Sequence, residues 1–243
     1  MLRRKESDQV EVYDVINYRL LRRLTVPNFG RFNHVTSCEH YLCVYIGDRG
    51  VDCIHRLDVQ GAVTQWAVND KPWSISVNAA HNVLVTCDFV HKIKEFSSHG
   101  NLLRELTLPG DVIYPWHAIQ TRNGEFIVSH GRYDNAVHRV CKISADGRDV
   151  IKSHGGQRGP DIGRYNRPRH LAVDDNEFVF VADEFNHRVT LLSPTLEYVR
   201  QVVSPDDLKW WPNSLCLDIH RRRLYVADSD YYLATGRVVV FSV

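Results

Sequence analysis

Five times along the chain a loop is followed by an apolar strand, a second strand ending on a polar residue, and a third starting beside a basic one. The first strands lie in FNHVTSC from Phe32, KPWSISV from Lys71, YPWHAIQ from Tyr114, RPRHLAV from Arg167 and WPNSLCL from Trp211. Their equivalent residues, His34, Ser74, His117, His170 and Ser214, are spaced by 40, 43, 53 and 44 positions. Second strands follow as CVYIGD, VLVTCD, EFIVSH, VFVAD and RLYVAD, and a fourth, outer strand is visible as AVTQWAV, LLRELTLP, RDVIKSH and EYVRQVV. Short runs divided by turn residues read as antiparallel meanders. A four-stranded unit at this period cannot bury both faces alone, so the units must pack on one another. The pattern predicts an all-β chain, a β-propeller of four-stranded blades with five recognisable repeat units, five-bladed or six-bladed with an incomplete blade.

The expected layout is a flexible N-terminal segment over 1–9 and a single propeller over 10–243, with blades at 28–68, 70–109, 112–154, 162–204 and 208–243. The stretch VEVYDVINYRLLRRLTVP reads as a third and a fourth strand without a first or second, so residues 10–26 are expected to close the last blade. GGQRGPDIG, over 155–163, lacks the lysine of a phosphate loop and reads as a long linker into the fourth blade.

With 243 residues, 44% of them hydrophobic, the chain can bury a full core. A formal charge of +1 gives no electrostatic footprint for DNA, and local clusters such as Arg221-Arg222-Arg223 leave RNA open without favouring it. MLRRKESDQV has no apolar core of a secretory signal, and no run reaches the length of a membrane span. Six cysteines without a Cys-x-x-Cys pair are too sparse for a disulfide scaffold, and most of them, inside apolar runs, read as reduced and buried. The expectation is a cytoplasmic protein with no membrane association.

The unit from Arg164 to Leu192 carries Gly163, Asn166, Pro168, VAD at Val181 to Asp183 and NHRV at Asn186 to Val189. It resembles the NHL-repeat β-propellers, and the resemblance covers nearly the whole chain in more degenerate form. Asp228 and Arg237 keep the pattern, Lys92 stands for the arginine and His130 for the aspartate. Asp183 and Arg188 read as a structural ion pair tying the second strand to the third.

First strands of propeller blades line the central channel, and the loops before them share one face. Its mouth positions are Asn33, Trp73, Trp116, Arg169 and Asn213, each followed by His34, Ser74, His117, His170 or Ser214. Loops on the same side carry Arg49, Arg132, Tyr133, His187 and Tyr231. Aromatics interleaved with Arg and His supply contact area and directional donors together, which suits recognition. Three histidines also suggest a metal, because three imidazoles with an open fourth position hold a catalytic zinc. The amidating lyases that resemble NHL propellers use that arrangement, but there the ligand stands one residue earlier, where this chain has Trp116 and Arg169. Neighbours on a strand face opposite ways, so His34, His117 and His170 are only an alternative metal set, and no metal or cofactor is expected.

No Gly-x-Ser-x-Gly elbow or His-Glu-x-x-His is present. The resemblance to the propellers of tripartite-motif NHL proteins implies a non-enzymatic scaffold, binding a protein partner through its channel face as the substrate-binding part of a ubiquitin-ligase-like protein. RNA binding by such a propeller is the alternative, and a metal-dependent enzyme of amidating-lyase or lactonase type is the second alternative.

Overall fold

The unit that carries the sequence pattern most fully sets the plan. Its strands β15 (Pro168–Val173), β16 (Val179–Asp183), β17 (Arg188–Leu192) and β18 (Tyr198–Val203) pair antiparallel in that order. Asp174 starts the first turn by accepting the amides of Asn176 and Phe178 on Oδ1, and Glu177 completes it in the left-handed region at φ 63°. The middle strands β16 and β17 are buried throughout, whereas β18 is largely open to solvent, with only Val203 buried. That gradient follows from blade stacking, since only the inner strands have neighbours on both faces.

In this computed structural model the described residues are 9–30, 32–131, 137–230, 233 and 235–243, with 32 and 33 described by their backbone alone. The same four-stranded order recurs in β3 to β6 (Phe32–Cys38, Cys43–Asp48, Cys53–Asp58, Val63–Ala67), in β7 to β10 (Ser74–Val77, Val83–Cys87, Lys92–Phe96, Leu102–Thr107) and in β11 to β14 (Pro115–Gln120, Phe126–His130, Val137–Ile143, Val150–Gln157). The fifth unit has three described strands, β19 (Trp211–Asp218), β20 (Arg223–Asp230) and β21 (Thr235–Ser242). The chain is thus a β-propeller with five repeat units. No described helix is long and apolar enough to cross a membrane.

Apolar clusters form the seams between successive blades. Tyr45, Ile54, Ile75 and Val85 join the first to the second, and Leu84, Ile93, Phe126 and Val128 the second to the third. Ile127, Val140, Leu171 and Val181 join the third to the fourth, and Phe180, Ala182, Leu224 and Val226 the fourth to the fifth. Each fully buried side chain of this kind stabilises by about 1.5–3 kcal/mol relative to exposure.

The ring's ends depart from the expected closure. Residues 10–26 fall in a hairpin of β1 (Gln9–Tyr13) and β2 (Leu20–Thr25), whose described strands pair only with each other, and β21 pairs only with β20. The hairpin packs instead on the first blade through Val10, Val26, Ile46 and Leu57, and it meets the fifth through Arg223 Nη1, which donates to Tyr18 Oη at 3.3 Å. A two-stranded unit can satisfy its inner backbone groups internally, so packing substitutes for a shared sheet. Of the flexible segment expected over 1–9, only Gln9 lies within the described residues, and it opens β1. The expected Gly-rich linker also begins later, because β14 runs through Gly155 and Gly156 to Gln157.

The ion pair between strands is present. Arg188 Nε donates to Asp183 Oδ2 at 2.8 Å, while Asp183 Oδ1 accepts the Asn166 amide at 2.7 Å. Burial pushes the Asp183 carboxyl up to about 6 against these opposing contacts. Arg237 and Asp228 repeat the pair at 2.8 Å. In the third blade His130 Nε2 accepts from Arg139 Nε at 2.9 Å, and in the first Asp48 meets His55 at 3.2 Å. These acceptors hold the loop that leads into their own first strand, as Asp48 does with the Gly30 amide and Asp228 with that of Trp210.

Candidate functional site at the channel mouth

Four of the five first strands start with a β-bulge. The register skips one residue between Phe32 and His34, Pro115 and His117, Pro168 and His170, and Pro212 and Ser214. The extra residues are Asn33, Trp116, Arg169 and Asn213, all predicted mouth positions. A bulge sets two residues against one on the partner strand and re-aims a side chain. Strict alternation therefore fails here, so the one-residue offset of His117 and His170 from Trp116 and Arg169 does not by itself set them on opposite sides.

His34, His117 and His170 come together, with one ring nitrogen of each within 4.8 Å of the others. His117 stacks on His170 at 3.9 Å between centroids, His34 stacks on His170 at 4.5 Å, and the Nε2 atoms of His34 and His170 are in direct contact. Each Nδ1 accepts a backbone amide from the first strand of the following blade: Ile75 for His34, Leu171 for His117 and Leu215 for His170, at 3.2–3.4 Å. All three are buried, and desolvation holds them neutral. His117 sits at about 4, while His34 and His170, which also feel His117 and Arg169, lie well below the usual imidazole value. Zinc fits this set poorly. An imidazole that binds metal through Nε2 keeps its proton on Nδ1 and donates it, whereas here amide hydrogens point at all three Nδ1 atoms.

Beside this cluster runs an arc of alternating cations and rings. The Arg49 guanidinium stands 4.5 Å from the Trp73 ring and 4.9 Å from Phe89. Trp73 meets Trp116 edge to face at 4.8 Å, and Arg169 lies 5.6 Å from both. Arg167 lies 4.6 Å from Trp116 and 5.1 Å from Phe185, Phe185 packs on Trp211, and Trp211 on His187. Two of the cations are anchored by Glu184, whose side chain is wholly buried and pairs with Arg167 at 2.9 Å and Arg169 at 3.1 Å. Arg49 is steadied by Asp88 at 3.7 Å.

The structure thus brings Arg49, Trp73, Trp116, Arg169 and His187 into one arc. Asn213 stays at the rim of the fifth blade, bonded to Ser229 Oγ. Arg132, Tyr133, Tyr231 and the side chain of Asn33 lie outside the described residues. Glu184, Arg167 and Phe89 were not predicted. Glu184-Phe185, directly after the VAD of the fourth blade, was the available signal, because a carboxylate there faces the Arg167-Pro168-Arg169 run across the register of β15 and β16.

No protein-family model and no curated protein matches the sequence. Solved structures do match in fold. A protein of unknown function from Bacteroides caccae aligns with a TM-score of 0.73 and 14% identity, over 98% of this chain and 88% of the other. The hydrazine synthase of Kuenenia stuttgartiensis gives 0.68 and 13%, over 98% and 91%. A streptogramin B lyase gives 0.66 and 11%, over 98% and 77%. At these identities the likeness establishes that the chain is similar to these propellers in fold.

Proposed function

We propose that this chain is a recognition propeller of NHL type that binds a protein partner in the cytoplasm through its channel mouth. The arc from Phe89 to His187 is the observation that carries the reading. Its guanidiniums are held against rings and buried carboxylates, so little side-chain entropy remains to be lost on binding. Trp and Arg in such settings supply most of the energy at protein interfaces. Each desolvated cation over a ring adds about 0.5–2 kcal/mol.

The test is to crosslink the protein to its cellular partners with wild type, Arg49→Ala and Trp73→Ala side by side, with and without ribonuclease. Protein adducts that survive ribonuclease and fall in both variants support the reading. Adducts that vanish with ribonuclease transfer it to RNA, and adducts indifferent to both variants remove the mouth from consideration.

A metal-dependent propeller enzyme remains a second reading because one observation favours it, the meeting of His34, His117 and His170. The amide hydrogens directed at Nδ1 weigh against it.

A further inference from the structure

We propose that His34, His117 and His170 form a carboxylate-binding site on the channel axis, with their Nε2–H groups as the donors. A neutral imidazole carries one proton. The amides of Ile75, Leu171 and Leu215 point at the three Nδ1 atoms, so the proton of each ring resides on Nε2. The contact between His34 Nε2 and His170 Nε2 then sets two donors against each other. His117, only 2% exposed, has an Nε2 without a hydrogen-bond partner among the described residues, and the Oγ of Ser74, the equivalent residue of the preceding first strand, has none either.

Buried donors left in this state carry a desolvation penalty that an acceptor would remove. The acceptor must offer several lone pairs within a few ångströms, and a carboxylate offers about four on two oxygens. Charge favours it as well, since the equivalent positions 34, 74, 117, 170 and 214 hold no acidic residue and Arg169 acts electrostatically on both His34 and His170. A phosphate dianion would bring two charges to neutral rings and to a guanidinium already shared with Glu184. The site goes beyond the docking reading and stands whether or not a protein binds at the mouth.

Imidazole nitrogen NMR on the full, uniformly labelled chain at pH 7.5 tests this directly. The expected result is an Nε2–H tautomer for all three rings, and signals that move together along one saturable curve as sodium acetate is added at constant ionic strength. His117→Phe, which keeps the ring and removes the donor, should weaken acetate binding by about tenfold or more. Nδ1–H tautomers, stoichiometric zinc uptake that shifts the same rings, or no saturable response to acetate would each overturn the proposal. So would tighter binding of inorganic phosphate than of acetate. If the variant fails to fold, the wild-type tautomers and acetate curve decide the matter.

Discussion

Single buried groups decide how this ring responds to acid. His117 is held at about 4 and His130 at about 3, burial being the main cause, while His34 and His170 lie well below the 6.5 of an exposed imidazole. The unfolded chain takes up protons on these rings below pH 6.5 and the folded chain does not. Stability is therefore present above about pH 6.5 and is lost as the pH falls towards 4, by up to about 1.4 kcal/mol per pH unit for each ring. Urea unfolding at pH 7.5, 6 and 5 should show this decline, and His117→Gln should flatten it; a profile level across that range would contradict the burial argument. The paired arginines separate in the same way. Arg188 is 11% exposed and Arg237 is 46% exposed, although each meets its aspartate at 2.8 Å. Arg188→Ala should cost about 3–5 kcal/mol, because it strands a buried carboxylate, and Arg237→Ala less, because its half-exposed guanidinium is already screened by water although Asp228 is as buried as Asp183. Equal losses in denaturant midpoints would show that exposure does not govern these pairs.

Strands and turns explain both what the sequence disclosed and what it concealed. The five units, their second strands and the Asp183 to Arg188 pair were legible, because alternation, turn residues and a charged pair at fixed spacing each leave a local trace. The bulges were not. One inserted residue before His117 or His170 leaves the pattern of polar and apolar residues intact, yet it decides whether two neighbours share a face. Glu184 was hidden for a different reason, since its value lies in a pairing across the sheet with Arg167 and Arg169. Within β14, Gly155 makes a contrasting case: its φ is +98°, and a Cβ there would stand 2.6 Å from the His138 carbonyl oxygen and 2.9 Å from Tyr165. Gly163, at φ +81°, has open space around the same atom. Gly163→Ala should cost about 1–2 kcal/mol from backbone conformation alone, and Gly155→Ala distinctly more. Matched thermal melts would reveal the difference, and a Gly155→Ala protein as stable as the Gly163→Ala one would disprove the close approach.

At the scale of the whole molecule, four seams join blade to blade and a fifth joins the N-terminal hairpin to the first blade. Removing residues 1–26 should expose Ile46 and Leu57, both fully buried or nearly so. The truncated chain should lose several kcal/mol, at about 1.5–3 kcal/mol per uncovered side chain. It should also bind an apolar dye that the full chain ignores, and unchanged melting with no dye binding would mean that the hairpin is an appendage. The hairpin shares no described sheet with either neighbour, so the hold between chain start and first blade is mainly apolar contact. Such contact draws its strength from water entropy and weakens on cooling, unlike a ladder of backbone hydrogen bonds. Chilling should therefore loosen the seam between the hairpin and the first blade before it loosens the blades' own hydrogen-bonded ladders.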